Sequence, residues 1–330
     1  MSRFTVTRST LGAQELVVLA DTREGREVRI ARRGATVLSI RSGGRNIADG
    51  FRDEAELVPH KGSRFAIMTP FANRVNDSRY TFDGKSYDLQ PGVVGKDRAS
   101  RHGFLRGELF DIGGEQAGEG AASVTFTTQA IRPDAHPGYP FALDFRVTFT
   151  LDDNGLTLET VTRNVGDHAA PTFFGWHPYF RLSDNPIEGW ELHVPAAQVV
   201  ATDADFIPLP GKAAWTSLDQ ADTSLDFRKP RLIGTTELNH TYASLHVDAD
   251  GKARTRLRDP STGTTIALWQ KTGVMLAFTS DTAERDARKS VALEPMECMP
   301  DAFNREDCAT AIHLEPGAER RFACGVEFVA

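Results

Sequence analysis

Long apolar runs are missing from this chain. No stretch of its 330 residues approaches the ~20 apolar residues that a membrane-spanning helix needs. The opening Met1-Ser2-Arg3-Phe4-Thr5-Val6 lacks the apolar core of a secretory signal. A cytoplasmic location without membrane contact is therefore expected. Excess basic charge is missing too. The formal net charge is −7, which argues against a nucleic-acid backbone as partner. The small cluster Arg29, Arg32 and Arg33 has strand-like spacing and reads as a solvated face.

Cysteine is scarce. The three present, Cys298, Cys308 and Cys324, are odd in number and match neither a zinc site nor a redox pair. They read as free thiols in a reducing compartment. The nine histidines contain no His-x-x-x-His pair, so no metal is expected. No phosphate loop and no dinucleotide Gly fingerprint appear, so no cofactor is expected either. Ser42-Gly43-Gly44 reads as a hairpin turn. The Gly-x-Ser-x-Gly elbow of a hydrolase triad is also absent.

Long helical stripes are the last thing lacking. What is present has period two. Leu143, Phe145, Val147, Phe149 and Leu151 alternate with polar residues until Asp153-Asn154-Gly155 turns the chain into Leu156–Glu159. Further strands are expected at Leu16–Leu19, Val28–Ile30, Val37–Ile40, Val124–Thr128, Leu245–Val247, Thr264–Trp269, Val274–Thr279 and Arg321–Phe328. Alternation around Asp83-Gly84 predicts a tight hairpin over Arg79–Leu89. Hydrophobic residues are 40% and charged residues 25%, ordinary globular values. The expectation is an all-β plan of large stacked antiparallel sheets in one domain, 1–330. Loops at Arg52–Gly62, Pro91–Arg101, Asp184–Gly189 and Thr202–Asp222 are expected to shape a cleft.

Four segments carry chemistry. Glu294 ends the apolar run Val291-Ala292-Leu293 just before a proline-braced turn. A strand end holds a carboxylate rigidly enough for general-base work, and a surface Glu closing an ordinary strand is the alternative. His177 sits among aromatics in Phe173-Phe174-Gly175-Trp176-His177-Pro178-Tyr179-Phe180. It is either a dehydrated catalytic imidazole or a structural core His. His102 precedes Gly103, which admits a close backbone or ligand; read in isolation, the segment is a turn with a solvated His. Asn73-Arg74 lies in a polar break before the hairpin. Arg74 is either a surface charge or a planar fork for vicinal hydroxyls or for Glu294.

Taken in order, Asn73-Arg74, His102-Gly103, His177-Pro178-Tyr179-Phe180 and Glu294 with Asp301-Ala302-Phe303-Asn304 resemble the aldose 1-epimerase (galactose mutarotase) family. Gly138-Tyr139-Pro140, Asp226-Phe227-Arg228 and Pro316-Gly317 add smaller matches, so the resemblance spans nearly the whole chain. It implies the wide, curved antiparallel β-sandwich of that family, and a monosaccharide as partner of a monomer or weak homodimer. Three positions depart from the family pattern. Trp176 stands where many members have Asn, Phe104 where many have Gly, and Asn239 where many have Asp. Asn239 keeps hydrogen-bonding capacity and loses the charge. Trp176 and Asn239 fall where the family contacts sugar hydroxyls.

Interconverting two anomers needs a base for the anomeric hydroxyl and an acid for the ring oxygen. Roles then reverse as the ring closes on the other carbonyl face. One carboxylate and one His on opposite sides of the sugar suffice. The resemblance implies Glu294 as base and His177 as acid, with His102 supporting and Arg74 and Asn73 holding hydroxyls. Trp176, Tyr179 or Phe104 stacks on the sugar or belongs to the core. Three rivals stay open. A hexose 6-phosphate epimerase on the same scaffold would use Arg101 and Arg106 for phosphate. A non-catalytic sugar-binding module would lack the carboxylate or the His. A glycoside-cleaving enzyme would need a second carboxylate, for which Glu297 is the candidate.

Overall fold

The computed structural model describes residues 2–329 apart from 96, 97 and 99. Among the described residues strands account for 47%, and the two α-helices, Glu54–Leu57 and Ala309–Ile312, have four residues each. The fold is the expected all-β sandwich. No helix among the described residues is long and apolar enough to cross a membrane.

Period two explains the largest sheet. Along Leu143–Asp152 the odd-numbered residues are buried and the even ones are not, so one face meets the core. That strand is third in a nine-stranded antiparallel sheet that runs Asp111–Ala117, Ala121–Ile131, Leu143–Asp152, Gly155–Asn164, Glu319–Val329, Thr265–Gln270, Ala253–Arg258, Glu191–His193 and Arg231–Leu232. The C-terminal strand lies at its centre, between two strands far upstream. A five-stranded sheet over Phe4–Asn46 flanks it.

The second large sheet is the one that matters for chemistry. Its order is Trp215–Ser217, Ala196–Val200, Asn239–Leu245, Val274–Phe278, Val291–Met296, Gly175–His177 and Ala66–Met68, with Tyr179–Phe180 also pairing with Val291–Met296. Its central strands are buried throughout, as a strand covered on both faces should be. One apolar cluster joins the two sheets, including Phe126 and Phe149 from the first and Trp176, Tyr242 and Met275 from the second.

Most expected strands form, several of them longer at each end, while Thr265–Gln270 starts one residue later and Val274–Phe278 stops one residue earlier than expected. Leu245–Val247 does not: the strand there is Asn239–Leu245, and 246–247 lie beyond it. The polar start Asn239-His240-Thr241 hides the period, because tertiary pairing with Val274–Phe278 holds that segment extended. The Asp83-Gly84 hairpin forms with both central residues at positive φ, 48° and 73°, as a two-residue turn of this type needs. Of the expected loop 91–101, residues 96, 97 and 99 lie outside the described residues.

Candidate active site

Sheet register builds the site. Gly175 pairs with Met296 and Tyr179 with Ala292, two short strands meeting the one strand Val291–Met296. The same register sets His177 across from Glu294. Directly opposed residues project from the same face of a sheet. The observed contact follows: His177 Nε2 lies 3.2 Å from Glu294 Oε1, with both side chains almost wholly buried. Leu276 opposes Glu294 on its other side, and two residues along lies Phe278, paired with Asn239. Phe278 and Asn239 therefore share the face of the catalytic candidates, and all four line a cleft of about 470 Å³. That volume suits a small molecule.

The loop side of the cleft is held by backbone geometry. Asn73 and His102 adopt positive φ, 55° and 62°. The His102 N–H donates to Asn73 O at 2.8 Å, and the Phe104 N–H donates to Thr69 O at 2.9 Å. Gly103 is needed between them. It has φ +64°, and a Cβ there would lie 2.1 Å from the Thr69 carbonyl oxygen. Gly175 has a packing reason instead: a Cβ would come within 2.8 Å of both Ala72 and Met68 side chains. The late motif closes the same assembly. The Asp301 N–H donates to Arg74 O, and the Asp301 carboxylate accepts from Asn76 N–H and from the Asn304 amide. Asp301 and Asn304 thus position the Asn73-Arg74 segment and do not line the cleft.

The residues brought together are His177, Glu294, His102, Asn73, Arg74 and Asn239. The His102 ring packs edge-on to His177 with centroids 5.1 Å apart, and its Nδ1 touches the Met68 sulfur. Arg74 donates to the Asn73 amide oxygen at 2.7 Å, and its buried Nε has no partner among the described residues. Glu294 Oε2 is likewise buried without a partner. These are the atoms a polar ligand would satisfy.

Trp176 is a correction. Neighbouring residues on a strand face opposite ways, so Trp176 points away from the cleft that His177 faces. It is fully buried and packs edge-on against Phe65, centroids 5.7 Å apart. It belongs to the core and does not line the cleft. Phe104 is also packed away, stacked on His136 at 4.0 Å. Tyr179 does line the cleft and stacks on the His177 ring at 4.9 Å, with the Arg64 guanidinium over its other side. Glu297 fails as a second carboxylate. It lies an odd number of residues from Glu294, and its side chain accepts from the Phe174 N–H at 2.6 Å outside the cleft. Loops 184–189 and 202–222 supply no lining residue, although Phe206 packs on Arg74.

Sequence reasoning missed Arg64, Arg285 and Phe278, which also line the cleft. Arg64 pairs with Asp49 at 2.5 Å, and Arg285 pairs with Asp49 and Glu56. Nothing local marks these residues; each becomes a cleft residue only through long-range folding. Phe278 had a signal, the period of its strand, once the register to Glu294 is known.

Burial sets the protonation states. It pushes the Glu294 carboxyl up to about 8, and the nearby Arg74 cation offsets this only in part. Burial pushes the His177 imidazole down to about 3, with Arg64, Arg106 and His60 adding repulsion. His102 is driven well below its ordinary value for the same first reason. At neutral pH the His177–Glu294 pair therefore carries one proton in total. Moving that proton across the 3.2 Å contact converts a carboxylic acid beside a base into a carboxylate beside an imidazolium. His102, His177 and Glu294 also offer three donor atoms within 4.8 Å, a set able to ligate a divalent cation. Sequence spacing missed this grouping because its members come from a loop and two different strands. A larger hollow of about 910 Å³ on the nine-stranded sheet has Glu115 and Glu159 in its lining and no imidazole, so it offers no comparable acid–base pair.

Residues 15–327 match the family model described as Aldose 1-epimerase. The chain is 28% identical over 256 residues to the uncharacterized protein YihR of Escherichia coli, covering 75% of this chain and 76% of that one. It is 31% identical over 172 residues to human galactose mutarotase, 51% of this chain and 46% of that one. Among solved structures, galactose 1-epimerase from Lactobacillus acidophilus superposes with a TM-score of 0.81 at 16% identity, over 100% of this chain and 99% of that one. The GalM/aldose epimerase homologue from C. elegans gives 0.77 at 20% identity, over 93% and 97%. The chain belongs to the aldose 1-epimerase family.

Proposed function

We propose that this protein interconverts the α and β anomers of an aldose by acid–base ring opening and closure, with Glu294 and His177 moving the protons. One observation carries the reading. A buried carboxylate and a buried imidazole, 3.2 Å apart, share one cleft wall.

Their side-by-side arrangement differs from the expected placement on opposite sides of the sugar, and the substrate chemistry favours it. The anomeric oxygen and the ring oxygen are both bonded to the anomeric carbon. The proton leaves one and arrives at the other only two bonds away. Adjacent groups on one wall can serve both oxygens. In the ionic form of the pair, Glu294 takes the hydroxyl proton while His177 gives its proton to the ring oxygen. The C1–ring-oxygen bond breaks and the aldehyde forms. Rotation about the C1–C2 bond turns the other carbonyl face toward the ring oxygen. Ring closure runs the two transfers backwards and restores the pair. Atoms and charge balance without any cofactor. Each positioned transfer contributes roughly a hundredfold to ten-thousandfold.

Around the pair, Asn73, Arg74, Asn239 and His102 hold hydroxyls, and Tyr179 keeps the His177 ring in place by stacking. Arg74 also favours the ionised form of Glu294, since it is the cation that opposes the burial penalty there. The test is polarimetric mutarotation of pure α-anomers. Wild type should accelerate equilibration, and Glu294→Gln should lower kcat by at least about a hundredfold. Full activity in Glu294→Gln would remove Glu294 from the role of base.

A further inference from the structure

Charge in the cleft does not balance. Arg64 and Arg285 are neutralised by Asp49 and Glu56. Lys61, Arg74, Arg101 and Arg106 form no ion pair among the described residues, yet all four line the cleft. The acidic lining left over is the exposed Glu284 and the catalytic Glu294. The cations are also forced together. On the two-stranded ladder at the cleft mouth, Arg101 is the direct register partner of Arg74. Like charges directly opposed across a ladder destabilise it. Arg106 is half-buried, feels repulsion from Arg101, and has a neutral partner, Ser63 Oγ at 2.8 Å. Glu294 and Asp205, the acids whose charge acts on Arg74, form no ion pair with it among the described residues. Asn239 adds no negative charge.

A fold tolerates repelling, poorly compensated cations when a ligand supplies the missing anion. We infer that the substrate is an aldose carrying an anionic group on the substituent beside the ring oxygen, and that Arg101 and Arg106, with Arg74, receive that group. This rests on the proposed anomer exchange and deepens it. The position follows from the pair's roles. His177 serves the ring oxygen, and the exocyclic carbon of a hexopyranose grows from the ring carbon next to that oxygen. Arg106 lines the same cleft as His177 and His102, so its charge faces the sugar bound there. Three guanidinium groups offer forks that suit a phosphate ester, a sulfate ester or a carboxylate.

The test compares anomer exchange of glucose, glucose 6-phosphate, glucose 6-sulfate and glucuronate with the purified wild-type chain. At least one anion should exceed glucose in kcat/KM by roughly ten- to a hundredfold, the range of a hydrogen bond to a charged group. Which anion leads tells the phosphate, sulfate and carboxylate sources apart. The preference should shrink as ionic strength rises. Arg101→Gln and Arg106→Gln should each cut the anion-to-glucose ratio by about tenfold. Arg101→Gln should also melt at or above the wild-type temperature in low salt, because it removes a repulsion; a purely structural Arg101 would give the opposite shift. Equal acceleration of glucose and all three anions would overturn the anion site and leave the anomer exchange standing. No acceleration of any sugar would overturn both.

Discussion

The shared proton of Glu294 and His177 predicts an unusual pH profile. The perturbation is pH alone, from 4 to 10, on wild-type protein. Burial holds the carboxyl near 8 and the imidazole near 3. The active form is the pair with one proton. It is formed when the second proton leaves near 3 and lost when the last proton leaves near 8. The catalysed kcat/KM should be flat from about pH 4 to 7.5 and fall about tenfold below the plateau by pH 9. Two groups with ordinary values behave differently. An imidazole near 6.5 would already have lost its proton at pH 7.5, with about a tenfold fall at that point. The assay is stopped-flow polarimetry, with the buffer-catalysed rate subtracted at each pH. An alkaline limb centred near 6.5 would refute the shared, burial-shifted proton. Arg74→Gln sharpens the experiment. Removing the cation that opposes desolvation should move the alkaline limb upward, while weaker sugar binding raises KM.

Further outcomes follow from the same geometry. Because the folded Glu294 carboxyl sits above its ordinary value, its contribution to stability is fully present below about 4.3 and is lost as pH rises through about 8. Glu294→Gln should therefore gain on wild type in urea unfolding as pH climbs across that window; a pH-independent difference would contradict the burial. Gly103→Ala should lose at least about 2 kcal/mol of stability, since its Cβ meets the Thr69 carbonyl at a positive φ. A neutral effect in the same urea titration would mean that the strap tolerates movement. Trp176→Ala should lose about 3–5 kcal/mol through a core cavity, yet keep the wild-type KM in its folded fraction. A raised KM would return Trp176 to the sugar. Chelator treatment should leave turnover unchanged, whereas added Zn²⁺ should inhibit competitively and more strongly at higher pH, as Glu294 loses its proton beside the already neutral His102 and His177. Loss of activity on chelation would point to a metal in the reaction.

The sheets were legible because period two survives wherever one strand face meets the core, as along Leu143–Asp152. It fails at Asn239–Leu245, whose first residue, Asn239, lines the cleft, and sites are where local rules are expected to break. Glu294, His177, His102 and Arg74 were legible from ordered motifs, not from any single one. The register that opposes His177 to Glu294 was not, since it depends on strands more than a hundred residues apart. Trp176 was misplaced for the same reason: the sequence places it beside His177, and only the strand's alternation sends it to the other face. Asp301 and Asn304 look like site residues in the motif and act instead on the backbone around Arg74. Charge compensation was least legible, because Asp49, Glu56 and Arg285 meet only in the folded chain.

In the proposed function, Glu294 and His177 together open and close a sugar ring. The most direct measurement is exchange NMR between the α and β anomeric protons of glucose and glucose 6-phosphate at equilibrium. With wild type, magnetisation should transfer between the two signals far faster than in buffer, and the Glu294→Gln/His177→Asn double variant should return it to the buffer rate. Equal exchange with wild type and a folded double variant, or buffer-rate exchange with wild type on both sugars, would contradict it.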